Sequence, residues 1–191
     1  SGQLNLGVYL YDMIPFENPE MLSPTMASSI RDEFLDYLEI VRLASAVAYL
    51  SHDTRNRYRK FLKAAGIESP DCEQVVYPPV RPSDIAPAES PTSTKFQELL
   101  CVSPLTKRKN VRVVLLALRE LLEEGRNFRL TLVCPVLFGA DPETVRLLAR
   151  LRRAFPDRLR VEHSLSDEAL SERYRASDVV LYPSLAEGLG L

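Results

Sequence analysis

The sequence predicts an α/β protein with a parallel sheet and flanking helices, and three observations carry that prediction. Short β-rich runs alternate with longer stretches of helical periodicity. Several of those runs are continuously apolar, as strands buried on both faces are. Helix starts and stops fall between them, with Ser or Asp before and Gly after. Strands that alternate with helices are joined by crossovers, which gives a doubly wound, Rossmann-like arrangement. A chain of 191 residues with 46% hydrophobic content can bury the core of one domain, or of one domain and part of another. Its net charge of -2 lacks the basic excess of nucleic-acid binders, so no nucleic-acid partner is expected. Cys72, Cys101 and Cys134 are odd in number and lack metal-ligand spacing. They read as reduced core residues of a cytoplasmic protein. No apolar run approaches the roughly 18 residues of a membrane span, and no leader is expected.

The first strand is Leu6 to Tyr11, with Asp12 at its carboxyl end. Ser23-Pro24 reads as an N-cap and a proline at the first helical position, opening one long amphipathic helix to Leu43. Ala46 to Leu50 is a second buried strand, and Ser51 to Ala65 a helix stopped by Gly66. That helix carries Arg55, Arg57, Arg59, Lys60 and Lys63 beside Tyr58, Phe61 and Leu62. Such a face fits a solvated surface, and it leaves peripheral contact with an anionic membrane or an acidic acceptor open. Between Glu68 and Lys95 fall six of the fourteen prolines, so this stretch reads as an interdomain connection, exposed and mobile from Pro82 to Thr94. The domain reading is therefore 1–67, a connection over 68–95, and 96–191.

In the second half, Leu99 to Ser103 is a strand, Asn110 to Glu124 a helix ended by Gly125, and Phe128 to Cys134 a strand. Asp141-Pro142 caps a helix to about Ala154. Leu159 to Glu162 is a strand, and Ser166 caps a helix through Tyr174. Val179 to Tyr182 reads as a fully buried last strand, followed by Pro183-Ser184 and the loop Leu185-Ala-Glu-Gly-Leu-Gly-Leu191. Two loops concentrate chemistry. Lys107, Arg108 and Lys109 stand where a helix begins, so cationic side chains and free N–H groups converge as in an anion site. In the last loop Glu187 is the one charge, beside glycines that allow close backbone approach. Taken alone, the first reads as a solvated basic turn, and Asp12 as a turn or cap aspartate. His163, alone in its loop, reads as packing or surface, with stacking on a base the other reading. No Ser-His-Asp set, paired acidic metal motif or glycine-rich phosphate loop is present.

Ala176-Ser177-Asp178, Pro183-Ser184 and Glu187-Gly188-Leu189-Gly190-Leu191 resemble the C-terminal signature of family 4 (group 1) retaining glycosyltransferases of the GT-B fold. Leu189 replaces the usual aromatic, and the sequence stops before the family's second Glu. Arg108-Lys109-Asn110 resembles the family's phosphate loop, with Ser103 in place of its glycine and Pro104 where many members have arginine. Tyr11-Asp12 resembles a His-Asp strand end, with tyrosine for histidine. Arg160 to Glu168 resembles the strand and loop that meet the base.

The resemblance implies a fragment made of the end of an acceptor-side N-terminal domain and most of a nucleotide-sugar-binding C-terminal domain. It implies transfer of a hexose from a nucleotide-diphosphate sugar to a glycan or lipid-linked acceptor with retention, in the cytoplasm or at the inner face of the membrane. No metal or other cofactor is implied. Glu187 and Asp12 would be catalytic, and Ser103, Arg108, Lys109, His163, Gly188, Leu189, Gly190 and Leu191 would hold the donor. The Arg-Lys-Asn variant leans to GDP-mannose. These 191 residues by themselves are expected to be inactive, with self-association left open. The other classes are an inactive nucleotide-binding or scaffold module and another GT-B sugar-phosphate enzyme, such as an epimerase.

Overall fold

The computed structural model of the protein describes residues 5–79, 96–134 and 140–189. The expected mobile stretch from Pro82 to Thr94 lies outside them. The chain divides into two compact units, Ser1–Arg81 with Ala186–Leu191, and Pro82–Leu185.

The first unit contains β1 (Gly7–Leu10), α1 (Ile14–Glu17), α2 (Pro19–Leu22), α3 (Ala27–Arg42), β2 (Ala46–Tyr49), α4 (His52–Ala64) and β3 (Cys72–Val75). Its three strands form a parallel sheet in the order β1-β2-β3. The expected long helix from Ser23 is shorter, because three prolines punctuate its approach. Pro15 and Pro19 open two single turns, and Ser23 ends the second as its C-cap at φ -154, ψ 111. A residue before proline is pushed out of the helical region, so α3 starts only after Met26. The helix expected from Ser51 is α4, and Ser51 caps it, accepting from the Thr54 N–H at 3.1 Å. Gly66 follows at φ +70.

Cys72–Val75, read from the sequence as the start of the connection, is instead the third strand. It is held by the Tyr49 hydroxyl, which donates to Glu73 Oε1 at 2.5 Å. Cys72 is exposed there and so is not a core residue, whereas Cys101 and Cys134 are buried; all three are free thiols. The core gathers Leu10, Met13, Leu38, Val41, Val47, Tyr49, Tyr58 and Leu62, with Phe16 edge-on to Phe61 at 5.0 Å. The arginines of α4 are engaged within the unit. Arg57 pairs with Asp53 at 2.6 Å and with Glu17, Arg59 with Glu73 at 2.8 Å, and Arg55 lies 3.2 Å from His52 Nδ1.

The second unit contains β4 (Gln97–Val102), α5 (Val111–Glu123), β5 (Phe128–Val133), α6 (Pro142–Ala154), β6 (Leu159–Glu162), α7 (Asp167–Ala176) and β7 (Val179–Val180). The sheet is parallel in the order β6-β5-β4-β7. Alternate strand residues Leu99, Cys101, Leu130, Leu132 and Leu159 meet Leu115, Leu118, Leu148 and Leu151 in one core. Asp141 and Ser166 cap α6 and α7 as predicted, each accepting from a backbone N–H three residues on. The expected fully buried strand Val179–Tyr182 is corrected. Only two residues pair, and Val180 is 48% exposed. Among the described residues β7 pairs with β4 on one side, and its apolar run is half exposed there.

Candidate functional site

The sheet of the second unit contains a reversal that locates a site. From β4 the chain steps outward to β5 and β6, then returns to the other flank of β4 as β7. Where strand order reverses, the loops at the carboxyl ends part and leave a crevice, the usual ligand position of open parallel sheets. Here those loops are Ser103–Asn110 after β4 and Leu181–Leu185 after β7.

The first loop is firmly mounted. The Ser103 N–H donates to Val133 O at 2.9 Å, extending the ladder, and its side chain is buried. Leu105 is buried, and its carbonyl accepts from the Asp141 N–H at 2.7 Å. Asn110 closes the turn at φ +51, with its N–H directed to Lys107 O at 3.1 Å. Asn tolerates this left-handed conformation better than other side chains with a Cβ. Lys107, Arg108 and Lys109 therefore lie in the turn just before α5, not in its first helical turn. Three cations at that end oppose the helix dipole, which favours anions there. An anionic ligand removes the conflict.

Three contacts bind this loop to the one after β7. Lys109 Nζ donates to the Tyr182 hydroxyl at 3.1 Å and lies 5.0 Å from its ring centroid. Asn110 Nδ2 donates to Pro183 O at 3.3 Å, and the Leu185 N–H to Arg108 O at 2.9 Å. Ser184 Oγ is buried and, among the described residues, has no hydrogen-bond partner. Tyr182, Asn110 and Ser184 were not singled out as site residues from the sequence. The contacts span 73 residues, and only the Pro183-Ser184 break hinted at them.

His163 follows β6 and so stands at the same carboxyl edge. Its Nδ1 is 2.7 Å from Cys134 O. A carbonyl only accepts, so Nδ1 carries the proton and, in the neutral ring, Nε2 is an acceptor. Burial pushes the Cys134 thiol up, and its Sγ lies 3.7 Å from the same Nδ1. A separate cavity of about 230 Å³, lined by Glu98, Leu100, Thr131, Arg160 and Arg173 among others, lies against the sheet beside α7. Two of its charged groups are already paired, Arg173 with both Glu162 oxygens at 2.7 Å and Glu98 with Arg129 at 2.8 Å. Among the described residues, no group of His, Cys, Asp and Glu could hold a metal ion, and no helix is long and apolar enough to cross a membrane.

The remaining sequence candidates belong to the first unit. Asp12 Oδ1 accepts from the Ile14 N–H at 2.9 Å, a turn-capping contact. Glu187, Gly188 and Leu189 lie in the segment grouped with that unit, while Gly190 and Leu191 are outside the described residues. Ser51 Oγ donates to Gly188 O at 2.6 Å, and Thr54 Oγ1 to Tyr11 O at 3.0 Å. A Cβ on Gly188 would stand 2.7 Å from Tyr11 O and 3.1 Å from Asp12 Cβ. Only glycine fits, because the backbone of the β1 end touches it directly. The structure thus brings Ser103, Arg108, Lys109 and His163 to one sheet edge, and Asp12 to Gly188 in the other unit.

Residues 83–191, more than half of the chain, match the family described as Glycosyl transferases group 1. Glycogen synthases of Bacillus cereus and Bacillus anthracis are 30% identical over 90 residues, 47% of this chain and 18% of theirs. The chain thus spans a small part of these relatives' length. Among solved structures, a UDP-forming α,α-trehalose-phosphate synthase from Burkholderia xenovorans superposes with a TM-score of 0.65 at 16% identity, covering 95% of this chain and 48% of that one. Its counterpart from Burkholderia vietnamiensis gives 0.68 at 13%, covering 97% and 47%. At such identities the likeness is one of fold, the GT-B arrangement of parallel sheets and flanking helices.

Proposed function

Since the chain belongs to the glycosyl transferases group 1 family, we propose that it carries the donor-binding part of a retaining glycosyltransferase of family 4. Its donor is a nucleotide-diphosphate hexose. The observation that carries this reading is the Ser103–Asn110 loop, cationic and rigidly mounted at the point where strand order reverses. Departure of a diphosphate concentrates negative charge on its oxygens, and fixed positive groups in that place lower the barrier. Lys109 and Arg108 supply the charge. By the family resemblance, Glu187 orients the sugar hydroxyls, the amides from Gly188 onward meet the phosphates, and Asp12 stands on the acceptor side. The outward Nε2 of His163 offers an acceptor to the base.

The acceptor is a glycan or a lipid-linked sugar. Arg108-Lys109-Asn110 favours a mannose-type donor such as GDP-mannose, and the partial likeness to glycogen synthases favours a glucose-type donor. Titration with GDP, ADP and UDP separates these two. No metal enters the scheme, because the two cations do the work of charge neutralisation. Calorimetric titration tests the site: a charge-assisted phosphate contact is worth about 1.5–3 kcal/mol, so Lys109→Ala weakens nucleoside-diphosphate binding by roughly one to two decades. Unchanged affinity removes Lys109 from the site.

A further inference from the structure

Tyr182 stands one residue beyond Leu181, whose N–H still bonds to Leu100 O at 2.7 Å, so its backbone is fixed by the sheet. On its other side Pro183 is fixed too, because its carbonyl accepts from Asn110 Nδ2 at 3.3 Å. The side chain is 47% exposed. What it meets is Lys109. The ammonium donates to the phenolic oxygen at 3.1 Å and lies 5.0 Å from the ring centroid.

We propose that Tyr182 is a positioning residue for Lys109, holding its ammonium at the place where the donor diphosphate sits. The inference rests on the reading of Ser103–Asn110 as that diphosphate site. A lysine head group rides on a flexible four-carbon stem and loses much rotamer freedom when fixed. Tyr182 fixes it before the ligand arrives. The ring and the hydroxyl act on the ammonium together, one by cation–π attraction and the other by a hydrogen bond. An ammonium has three N–H donors, and the bond to Tyr182 takes one of them. The role needs the oxygen and the ring, not merely an apolar side chain, which is why phenylalanine is the informative replacement.

The experiment is calorimetric titration of the chain with UDP, ADP and GDP, each beside its nucleoside without phosphate, for the native protein, Tyr182→Phe, Lys109→Ala and the double variant. Tyr182→Phe keeps the ring and its packing, so circular dichroism and melting should match the native protein. Restoring the ordering cost of one long side chain weakens diphosphate binding about three- to tenfold, with nucleoside binding unchanged. Because Tyr182 acts through Lys109, the double variant binds no more weakly than Lys109→Ala. Native affinity in Tyr182→Phe beside a weakened Lys109→Ala overturns the inference and leaves the site reading standing. So does a double variant in which the two losses multiply. Unchanged binding by Lys109→Ala, or no binding of any of the three diphosphates, overturns the site reading and the inference with it.

Discussion

In the first unit the fully buried Tyr49 hydroxyl donates to Glu73, whose other oxygen is held by Arg59 from α4. The core cluster of the second unit is aliphatic apart from two thiols, and Lys107, Arg108 and Lys109 stand at the carboxyl edge of its sheet. The Tyr58 hydroxyl deepens the contrast. It is buried without a partner among the described residues, and burial pushes its pKa up to about 12. A polar group closed inside a core fixes one arrangement and is expensive to disturb. The polar contacts of Tyr49, Glu73 and Arg59 are thus closed within the fold of the first unit, while the second unit carries Lys107, Arg108 and Lys109 beyond the end of a strand.

The largest effect expected from this contrast is in the aliphatic core. Leu118→Ala removes a side chain that is 1% exposed and should cost about 2–5 kcal/mol. Hydrogen exchange is expected to accelerate in α5 and β5, with α3 and α4 unaffected. Equal loosening of α3 would break the division into two cores.

The buried polar network comes next. Burial raises the Glu73 carboxyl, but hydrogen bonds from Arg59 and Tyr49 outweigh it and hold the group below its ordinary value of 4.5. A carboxyl depressed in the folded state adds stability that is present above its unfolded pKa and is lost as pH falls through the folded one. Glu73→Gln should therefore cost about 1.5–3 kcal/mol near neutrality, with the gap from the native protein closing below pH 4.5. A gap independent of pH, in denaturant titrations at pH 7 and pH 3, would remove Glu73 from the account.

The smallest effect concerns the closely packed glycine. Gly188→Ala brings a methyl carbon to 2.7 Å from Tyr11 O, and relief of such overpacking is worth about 1–3 kcal/mol. Amide exchange over residues 186–189 and 51–54 should rise roughly ten- to a hundredfold, since 1.4 kcal/mol is a factor of ten. Unchanged exchange would mean that the segment yields freely.

Much of the fold was readable from local chemistry. Ser51, Asp141 and Ser166 announced their helices because a cap is decided within four residues. Gly66 and Gly125, at φ +70 and φ +76, announced two helix ends. What escaped was decided farther away. Nothing local distinguishes Val179–Val180 at a sheet edge from a central strand, since the apolar run is the same. Cys72–Val75 became a strand through pairing with β2, and Ser23 failed as a helix start because prolines divided the segment before it. At the candidate site, the sequence offered the cations Lys107, Arg108 and Lys109 but not their mounting. Lys109 and Tyr182 meet only because β4 and β7 are neighbours, and the contact of Asp12 with the Ile14 N–H lies within its own turn.

Resonance-by-resonance NMR titration of the chain with nucleoside diphosphates tests the central claim most directly, because it reports where binding occurs without requiring transfer. The largest shifts are expected in 103–110, 163, 182–185 and 187–189, with slight changes in α3. Shifts concentrated instead around Glu98, Thr131, Arg160 and Arg173 would place the nucleotide in the cavity beside α7 and contradict that claim.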